Sequence, residues 1–288
     1  MNFLTFLKKL KLYLLKLVFG YEPPKKRPKI SLIIPFSSKN KMRKRVLRWL
    51  LEYWKHELPE AEIIIGHSKG KVFCKAEALN DAVRKSRGKV LVIIDSDAYI
   101  SGQIIERCAD KILEDPCDRL WFVPYRHLYR LTKKVTNKIL RSDPENPLRV
   151  NCHPQEHEIE NAGHRSRYGH RYGAMCMIFP REAYDTLGCF DERFVGWGGE
   201  DVSLLRALDT LYGKHKTIRT CIFHLWHPFI GENYRSRKWD NQKHSNTNGN
   251  LALRYHRATR KPTQMRNLVD EGIEFTKNKQ KKLKNHKK

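Results

Sequence analysis

The chain has 288 residues, of which 40% are hydrophobic, enough for one sizeable α/β core with appendages. It carries 57 Lys and Arg against 31 Asp and Glu, which gives a formal net charge of +26. No run of about 20 uncharged apolar residues occurs, so we expect no membrane-spanning helix. A charge this large favours a polyanionic partner, such as nucleic acid or an anionic membrane surface.

Much of the excess positive charge lies at the two ends of the chain. Residues 1–29 hold eight Lys and Arg against one Glu, and residues 277–288 hold seven Lys and no acidic residue. Apolar residues in the first twenty positions are interrupted by Lys8, Lys9 and Lys11, without the cleavage site of a signal peptide. This pattern predicts a basic amphipathic helix on a membrane surface, with a helix packed on its own domain as the alternative.

The chain has seven cysteines, an odd number, and no two of them form a C-x-x-C pair. This pattern argues against a disulfide framework and against a thiolate zinc site. We therefore expect reduced, mostly buried thiols, as in a cytoplasmic protein. If the basic ends bind lipid, the protein would be peripheral on the inner face of the membrane.

Strand and helix patterns alternate from residue 30 onward. Short apolar runs predict buried strands, and apolar residues at helical spacing predict helices. In chain order these are strand Ile30–Phe36, helix Lys41–Glu57, strand Glu62–Gly66, helix Ala76–Ser86 and strand Val90–Ile94. This alternation predicts the α/β class with a parallel, doubly wound sheet.

The second half of the chain is less regular. Further predicted elements are helices at 102–114 and 181–187 and a strand at 175–180. Residues 126–172 show weak periodicity, which is typical of a functional loop or lid or of disorder. Residues 245–277 are helical in parts, and the last twelve residues are expected to be a solvated tail. The predicted units are a basic helix and Pro-rich linker (1–28), one main domain (29–250) and a C-terminal helix with a Lys-rich tail (251–288).

Asp95, Ser96 and Asp97 follow directly after the apolar strand VLVII. In a parallel sheet, ligands bind beyond the carboxyl ends of the strands. Two carboxylates at positions i and i+2 can face a divalent cation and a diphosphate together, and oxygen ligands suit Mg²⁺ or Mn²⁺. The pattern therefore predicts a metal site, although such tripeptides are also common on surfaces.

A glycine-rich stretch runs from Gly188 to Asp201 and precedes a helical pattern. The glycines Gly198 and Gly199 permit a tight turn close to a ligand, and Trp197 offers an aromatic face for a sugar ring. Glu200 and Asp201 begin the helix, where the dipole favours their ionised form. An ionised carboxylate there could deprotonate an acceptor hydroxyl, or the pair could simply cap the helix.

Two histidines follow an apolar, strand-like run that begins at Cys221. His224 ends that run, and His227 lies three residues later. A neutral imidazole from either residue could complete the metal site begun by Asp95 and Asp97. A buried structural histidine is the alternative for each.

These motifs, in this order, resemble the GT-A fold glycosyltransferases of the β-1,4-galactosyltransferase and chondroitin-polymerase type, over about residues 30–230. The matching segments are Ile33–Phe36, Phe73–Ala76 with Asn80, Asp95–Asp97, Gly196–Asp201 and His224. The resemblance implies a GT-A fold with a mixed, mainly parallel sheet, and a nucleotide-sugar donor bound with Mn²⁺ or Mg²⁺.

The resemblance also implies a role for each matched residue. Asp201 would be the catalytic base of an inverting reaction, and Glu200 would contact sugars beside it. Asp95, Asp97 and His224 would hold the metal, and the residue pattern adds His227 as a further candidate ligand. The residues implied in donor binding are Pro35, Phe36, Ser37, Phe73, Lys75, Asp95, Ser96, Trp197, Gly198 and Gly199. A UDP-sugar is favoured as donor. However, Ser37 stands where the family has a basic residue and Lys75 where it has Arg, which leaves the nucleotide base of the donor open.

The acceptor stays open between two classes. A glycan or lipid-linked glycan is favoured by the amphipathic N-terminus. DNA with hydroxylated bases is favoured by the basic body and by the cluster His157, His164, Arg165, Arg167, His170 and Arg171. A third possibility is a non-catalytic nucleic-acid-binding protein, but no zinc-finger, helix-turn-helix or RNA-binding aromatic signature occurs.

Overall fold

The computed structural model describes residues 27–70, 72–114, 119–160, 175–196, 198–228 and 240–285. The N-terminal amphipathic segment, the basic stretch 161–174 and Trp197 were singled out by the sequence but lie outside these residues. None of the helices in the described ranges is long and apolar enough to cross a membrane.

Short strands and longer helices alternate along the described chain. The strands are β1 Ile30–Pro35, β2 Glu62–Gly66, β3 Val90–Ile94, β4 Ala98–Tyr99, β5 Phe122–Val123, β6 His127–Arg130, β7 Cys176–Pro180, β8 Lys216–Thr217 and β9 Cys221–His224. The helices are α1 Lys41–Glu57, α2 Lys75–Lys85, α3 Gly102–Glu114, α4 Lys133–Ile139, α5 Arg181–Leu187, α6 Glu200–Leu211, α7 Asp240–Ala258 and α8 Pro262–Asn285, with a 3₁₀ turn at Glu156–Glu158.

A six-stranded sheet of order β2-β1-β3-β7-β5-β8 forms the centre. β1 pairs in parallel with β2 and β3, whereas β7 runs antiparallel to β3 and β5. β1 and β3 are buried along their whole length, because helices α2 and α3 pack against the sheet. The predicted α/β class with a mixed, mainly parallel sheet is confirmed.

Helix α1 begins after β1 because Asn40 caps it. The Asn40 side chain accepts hydrogen bonds from the backbone N–H groups of Met42 and Arg43, at 2.9 and 3.1 Å. The apolar stripe of the helix, which includes Val46, Leu50 and Trp54, is buried. The cap therefore fixes the first turn of α1 just beyond the carboxyl end of β1.

A second, three-stranded sheet of order β4-β9-β6 lies beyond the metal motif. β4 follows directly after Asp97 and pairs antiparallel with β9, with Ala98 opposite His224. β6 pairs in parallel with the other edge of β9. This pairing brings the end of β9 next to Asp97, although the two lie far apart in the sequence.

Part of the segment predicted to be irregular is regular. β6, α4 and the 3₁₀ turn fall between residues 126 and 160, and β6 is stabilised by its pairing with β9. The prediction of a loop was therefore wrong for this part. Weak periodicity did not reveal a short strand whose partner is far away in the chain.

The C-terminal helices α7 and α8 pack on α6 and on each other. Residue 250, the predicted domain boundary, falls inside α7. The expected solvated tail is helical as far as residue 285, because Lys279 reaches two buried carboxylates. Its Nζ lies 2.9 Å from Glu192 Oε2 and 3.2 Å from Glu77 Oε2. A run of charged residues in a sequence predicts exposure to solvent, because buried carboxylate partners such as these are supplied only by the tertiary structure.

A disulfide joins Cys152 to Cys221 at the start of β9. Cys74, Cys108 and Cys176 are buried free thiols, and Cys189 is a partly buried one. The prediction that the cysteines are all reduced is therefore wrong for one pair. Spacing could not reveal it, because the two residues are 69 positions apart. The disulfide also removes the argument for a reducing compartment that rested on cysteine usage.

Candidate active site

The two aspartates of the motif point to different partners. Each is fixed by the backbone: Ala98 N donates to Asp95 O at 3.0 Å, and Leu225 N donates to Asp97 O at 2.9 Å. The first contact closes a tight turn after β3, and the second ties that turn to the residue that follows β9. The side chains consequently enter two separate but adjacent clusters.

The first cluster contains Asp97, His224 and His227. Each offers one ligand atom, and the three atoms lie within 4.8 Å of one another. Asp97 Oδ2 lies 2.9 Å from His227 Nε2 and 3.9 Å from His224 Nε2. One carboxylate and two imidazoles are a donor set that suits a divalent transition metal such as Mn²⁺.

The hydrogen bonds of His227 indicate a lone pair directed at the metal position. Its Nδ1 lies 3.0 Å from Pro228 O, and a carbonyl can only accept, so Nδ1 carries the proton. In the neutral ring Nε2 then has a lone pair, yet it faces Asp97 Oδ2 at 2.9 Å. A positive charge at Nε2 relieves the repulsion between the two lone pairs, and the Arg43 guanidinium, whose Nη2 lies 3.0 Å from Nε2, supplies one. The donor set of one carboxylate and two imidazoles would also fit a divalent metal at this position.

Burial and charge set the protonation of the other two groups. Burial lowers the pKa of His224 to about 4, although Asp97 acts against this change, so the ring is neutral at pH 7. Burial disfavours the charge of Asp97, but His224 and His227 outweigh this effect and hold the pKa of Asp97 well below its usual range. Both groups are therefore in the state that a metal ligand requires.

The second cluster is centred on Lys75. Its Nζ lies 2.7 Å from Asp95 Oδ1 and 3.5 Å from Glu200 Oε1. Asp95 was predicted to share the metal with Asp97, but its carboxylate is paired with Lys75 here. Lys75 was predicted to line the nucleotide pocket, and it lies between the metal motif and the start of α6.

The carboxylates around Lys75 resist ionisation. Burial, together with the charge of Asp201, raises the pKa of Glu200 to about 7, although Lys75 acts against both. Burial and the charge of Asp97 raise the pKa of Asp95 to about 6, again opposed by Lys75. For Lys75, burial favours the neutral form, but the charges of Asp95, Glu200 and Asp201 outweigh it and raise its pKa. The cluster holds more negative charge than its one lysine can stabilise.

The glycine-rich turn brings Glu200 and Asp201 into position. Gly196, Gly198 and Gly199 have φ values of 79°, 105° and 93°, a region that favours glycine. A Cβ on Gly199 would also lie 3.0 Å from a Phe194 ring carbon. Gly199 is the N-cap of α6, so the two acidic residues fall in its first turn, where the dipole favours negative charge.

The turn is attached to the start of α2 by backbone contacts. Gly196 N donates to Phe73 O at 3.0 Å, and the Cys74 thiol donates to Phe194 O at 3.1 Å. Asn80 lies behind them and is fully buried. Its Nδ2 donates to Phe190 O, and its Oδ1 accepts from Phe190 N. Asn80 therefore positions the turn without facing the site.

The remaining predicted donor residues lie at the carboxyl end of β1 or near the start of α2. Pro35 ends β1 opposite Gly66, and Phe36 N donates to Gly66 O at 3.2 Å. Phe36 and Phe73 are half-buried, and Ser37 is exposed. Ser96 is half-buried between the two aspartates. Trp197 lies outside the described residues.

A small cavity of about 20 Å³ lies behind Glu200. It is lined by Glu200, Ser203 and Tyr255 together with apolar side chains. The buried atoms Glu200 Oε2 and Ser203 Oγ have no hydrogen-bond partner within the described part of the chain. The volume is sufficient for one water molecule.

Sequence reasoning missed Arg43. It lies in the first turn of α1, and its Nη2 is 3.0 Å from His227 Nε2, which is 184 residues away in the chain. Arg43 is one of several basic residues between 39 and 48. Nothing in the sequence distinguishes it from its neighbours, because its role depends on a contact made only in the folded chain.

Comparison with known proteins identifies relatives of this chain. Residues 33–185, more than half of the chain, match the family described as Glycosyl transferase family 2. Chondroitin sulfate N-acetylgalactosaminyltransferase 2 from Homo sapiens is 29% identical over 165 residues, which cover 56% of this chain and 28% of the relative. The Mus musculus protein is 28% identical over 160 residues, 54% of this chain and 27% of its own length. The matched region thus spans less than a third of each curated relative.

The solved structures that the chain resembles are more distant in sequence. A mannosyltransferase from Pyrobaculum calidifontis in complex with GDP-Man and Mn²⁺ is 14% identical, with a TM-score of 0.43, over 93% of this chain and 77% of that one. Drosophila β1,4-galactosyltransferase 7 in complex with xylobiose is 14% identical, with a TM-score of 0.41, over 75% and 78%. GalNAc-T7 with UDP, GalNAc and Mn²⁺ is 14% identical, with a TM-score of 0.41, over 72% and 45%.

Proposed function

Because the chain belongs to glycosyl transferase family 2, whose members take a sugar from a nucleotide-sugar donor, we propose that it is a metal-dependent, inverting member of that family. The observation that carries the proposal is the cluster of Asp97, His224 and His227, which lies next to the acidic turn at Glu200 and Asp201. A UDP-sugar is the favoured donor and a glycan hydroxyl the favoured acceptor.

The residues of the first cluster supply the metal site. Asp97, His224 and His227 would hold Mn²⁺, and the imidazole ligands favour Mn²⁺ over Mg²⁺. A metal held by these residues would supply Lewis acidity to stabilise the negative charge that develops on the leaving diphosphate. Lys75 adds a permanent positive charge next to Asp95 at the same edge of the sheet.

The residues of the acidic turn supply the base. Asp201 takes the proton from the acceptor hydroxyl as that oxygen bonds to the anomeric carbon. The bond from this carbon to the diphosphate oxygen breaks, and its electron pair leaves with the diphosphate. A single displacement of this kind inverts the anomeric centre. Glu200, whose Oε1 faces Lys75 at 3.5 Å, would hold a sugar hydroxyl beside the reacting atoms.

The acceptor is proposed from similarity and charge. The curated relatives are named as chondroitin sulfate N-acetylgalactosaminyltransferases, which supports a glycan acceptor. The net charge of +26 would suit an anionic glycan and equally DNA. Oligosaccharide acceptors and DNA with hydroxymethylated bases, tested with the same donor, would separate the two. Transfer to DNA alone would reject the glycan proposal.

The proposal is tested by a panel of nucleotide-sugars with Mn²⁺, with and without chelator, following released nucleoside diphosphate. We expect one donor to be hydrolysed slowly and only with metal. His224→Ala should lower that rate by about 100-fold or more, because a ligand is lost. His56→Ala, at an exposed histidine in the last turn of α1, is the matched control and should leave the rate unchanged. Release that persists in chelator would reject the metal dependence, and no release from any donor by folded protein would reject the activity.

A further inference from the structure

Arg43 makes a contact that is incompatible with metal binding at His227. A guanidinium can only donate, so its Nη2 at 3.0 Å requires the lone pair of His227 Nε2. The metal proposed for this site requires the same lone pair. Since one lone pair binds one partner, Arg43 and the metal cannot both occupy His227 Nε2.

We propose that Arg43 couples metal binding to donor binding. Its guanidinium lies on the metal-facing side of His227, so a metal can bind His227 Nε2 only if the guanidinium moves away. When the metal enters, the guanidinium leaves His227 and binds the diphosphate of the donor. This inference rests on the proposed function, because it takes the first cluster as the metal site and a nucleoside diphosphate as the ligand.

Charge explains why Arg43 opposes the metal alone. The guanidinium lies beside Asp97 and His227, so a divalent cation entering there meets a positive charge at close range. Repulsion between two cations a few ångströms apart in a partly buried site is worth more than in water. Removing the charge of Arg43 should therefore strengthen the binding of Mn²⁺ by itself.

Geometry explains why Arg43 favours the diphosphate. Its Nε is buried and has no hydrogen-bond partner among the described residues, so the guanidinium keeps an unused N–H donor for a ligand. A guanidinium can bind two phosphate oxygens at once. Arg43 also lies in the first turn of α1, where the helix dipole favours an anion. Lys75, by contrast, is already held by Asp95 and Glu200.

Arg43→Met separates the two effects, because they have opposite signs. Mn²⁺ binding without nucleotide is measured by electron paramagnetic resonance, and UDP binding at saturating Mn²⁺ by calorimetry. We expect Mn²⁺ alone to bind about tenfold more tightly than in the wild type. We expect UDP with Mn²⁺ to bind about tenfold more weakly. GDP replaces UDP if the wild type binds only GDP.

Arg45→Met is the matched control. It removes the same charge from the same helix, but Arg45 is exposed and its Nη1 donates to Asn137 Oδ1 at 3.3 Å instead of to His227. We expect both affinities to stay within about twofold of the wild type. Arg43→Lys keeps the charge without the fork, so Mn²⁺ binding should stay near the wild-type value while UDP binding weakens.

Each result decides between the coupling role and a structural one. If Arg43→Met weakens both ligands together, or changes neither, the inference is wrong. If Arg43→Met does not fold, Arg43→Lys with unchanged UDP binding overturns the inference instead. If the folded wild type binds neither Mn²⁺ nor nucleoside diphosphate, the proposed function is rejected as well. If the wild type binds both and the Arg43 variants bind them equally well, only the inference about Arg43 is rejected.

Discussion

Two groups of buried charges lie close together in the chain and differ in how they are paired. Asp191 and Arg193 join the glycine-rich turn to the C-terminal helices. All three guanidinium nitrogens of Arg193 have partners: Asp191, Glu271 Oε2 at 2.8 Å and Leu268 O at 2.9 Å. A few residues later, Glu200 has one buried oxygen without a partner among the described residues.

The pKa values differ in the same way. Burial disfavours the charge of Arg193, but its bonds to Asp191 outweigh this and raise its pKa. The hydrogen bonds from Arg254 and Arg193 lower the pKa of Glu271. In the candidate site, burial raises the pKa of Glu200 to about 7 and lowers that of Arg43. The paired groups Arg193 and Glu271 are stabilised in their charged form, whereas Glu200 and Arg43 in the site each keep a buried polar atom without a partner among the described residues.

The largest expected effect is on catalysis. Asp201→Asn removes the proposed base but keeps its shape, so kcat should fall about 1000-fold while the affinity for the donor changes little. Steady-state kinetics and calorimetric titration measure the two quantities. Asp185→Asn, at an exposed carboxylate on α5, is the control and should behave as the wild type. Turnover near the normal rate in Asp201→Asn would show that another group is the base.

The next effect is on stability, at the paired cluster. Arg193→Met leaves the buried carboxylate of Asp191 without its main partner and should lower the free energy of unfolding by about 3 kcal/mol. Arg254→Met removes a half-exposed arginine from the same Glu271 and should cost less than about 1 kcal/mol. Urea denaturation compares them. Equal losses in the two variants would mean that burial does not distinguish these pairs.

The smallest effect is a pH dependence of opposite sign at Glu200 and at Glu62, a carboxylate that is stabilised in its charged form as the paired cluster is. The folded-state pKa of Glu200 is about 7, above the unfolded value of 4.5, so the folded state binds the extra proton between these values. Stability contributed by Glu200 is therefore present below pH 4.5 and is lost as the pH rises to about 7. In chelator, Glu200→Gln should remove this decline in melting temperature.

Glu62 provides the matched comparison for this measurement. Burial disfavours its charge, but hydrogen bonds from Ser31 and from the backbone N–H groups of Arg87 and Gly88 outweigh it and lower its pKa. Its contribution is present above pH 4.5 and is lost as the pH falls. Glu62→Gln should therefore reduce stability at pH 7 and have less effect at low pH. Slopes of the same sign for both variants would contradict the opposite charge preferences of Glu200 and Glu62.

The sequence predicted the first half of the fold well. Helix α1 and strands β2 and β3 have the predicted bounds, because their apolar residues are local and periodic. It also predicted that Asp97 and His224 belong together. It did not predict β6, the docking of Lys279 or the disulfide of Cys152, because each depends on a partner far away in the chain.

The sequence by itself determined the fold class, the family and the kinds of side chain at the carboxyl edge of the sheet, since these follow from local pattern and motif order. Only the tertiary structure decided which of these side chains pair with one another. It pairs Asp95 with Lys75 and Asp97 with His227, and it brings Arg43 to the same histidine. The physical reason is that burial and pairing set the charge state of each group. Both depend on residues that the chain brings together only on folding, as for Asp97 and His227, which are 130 residues apart.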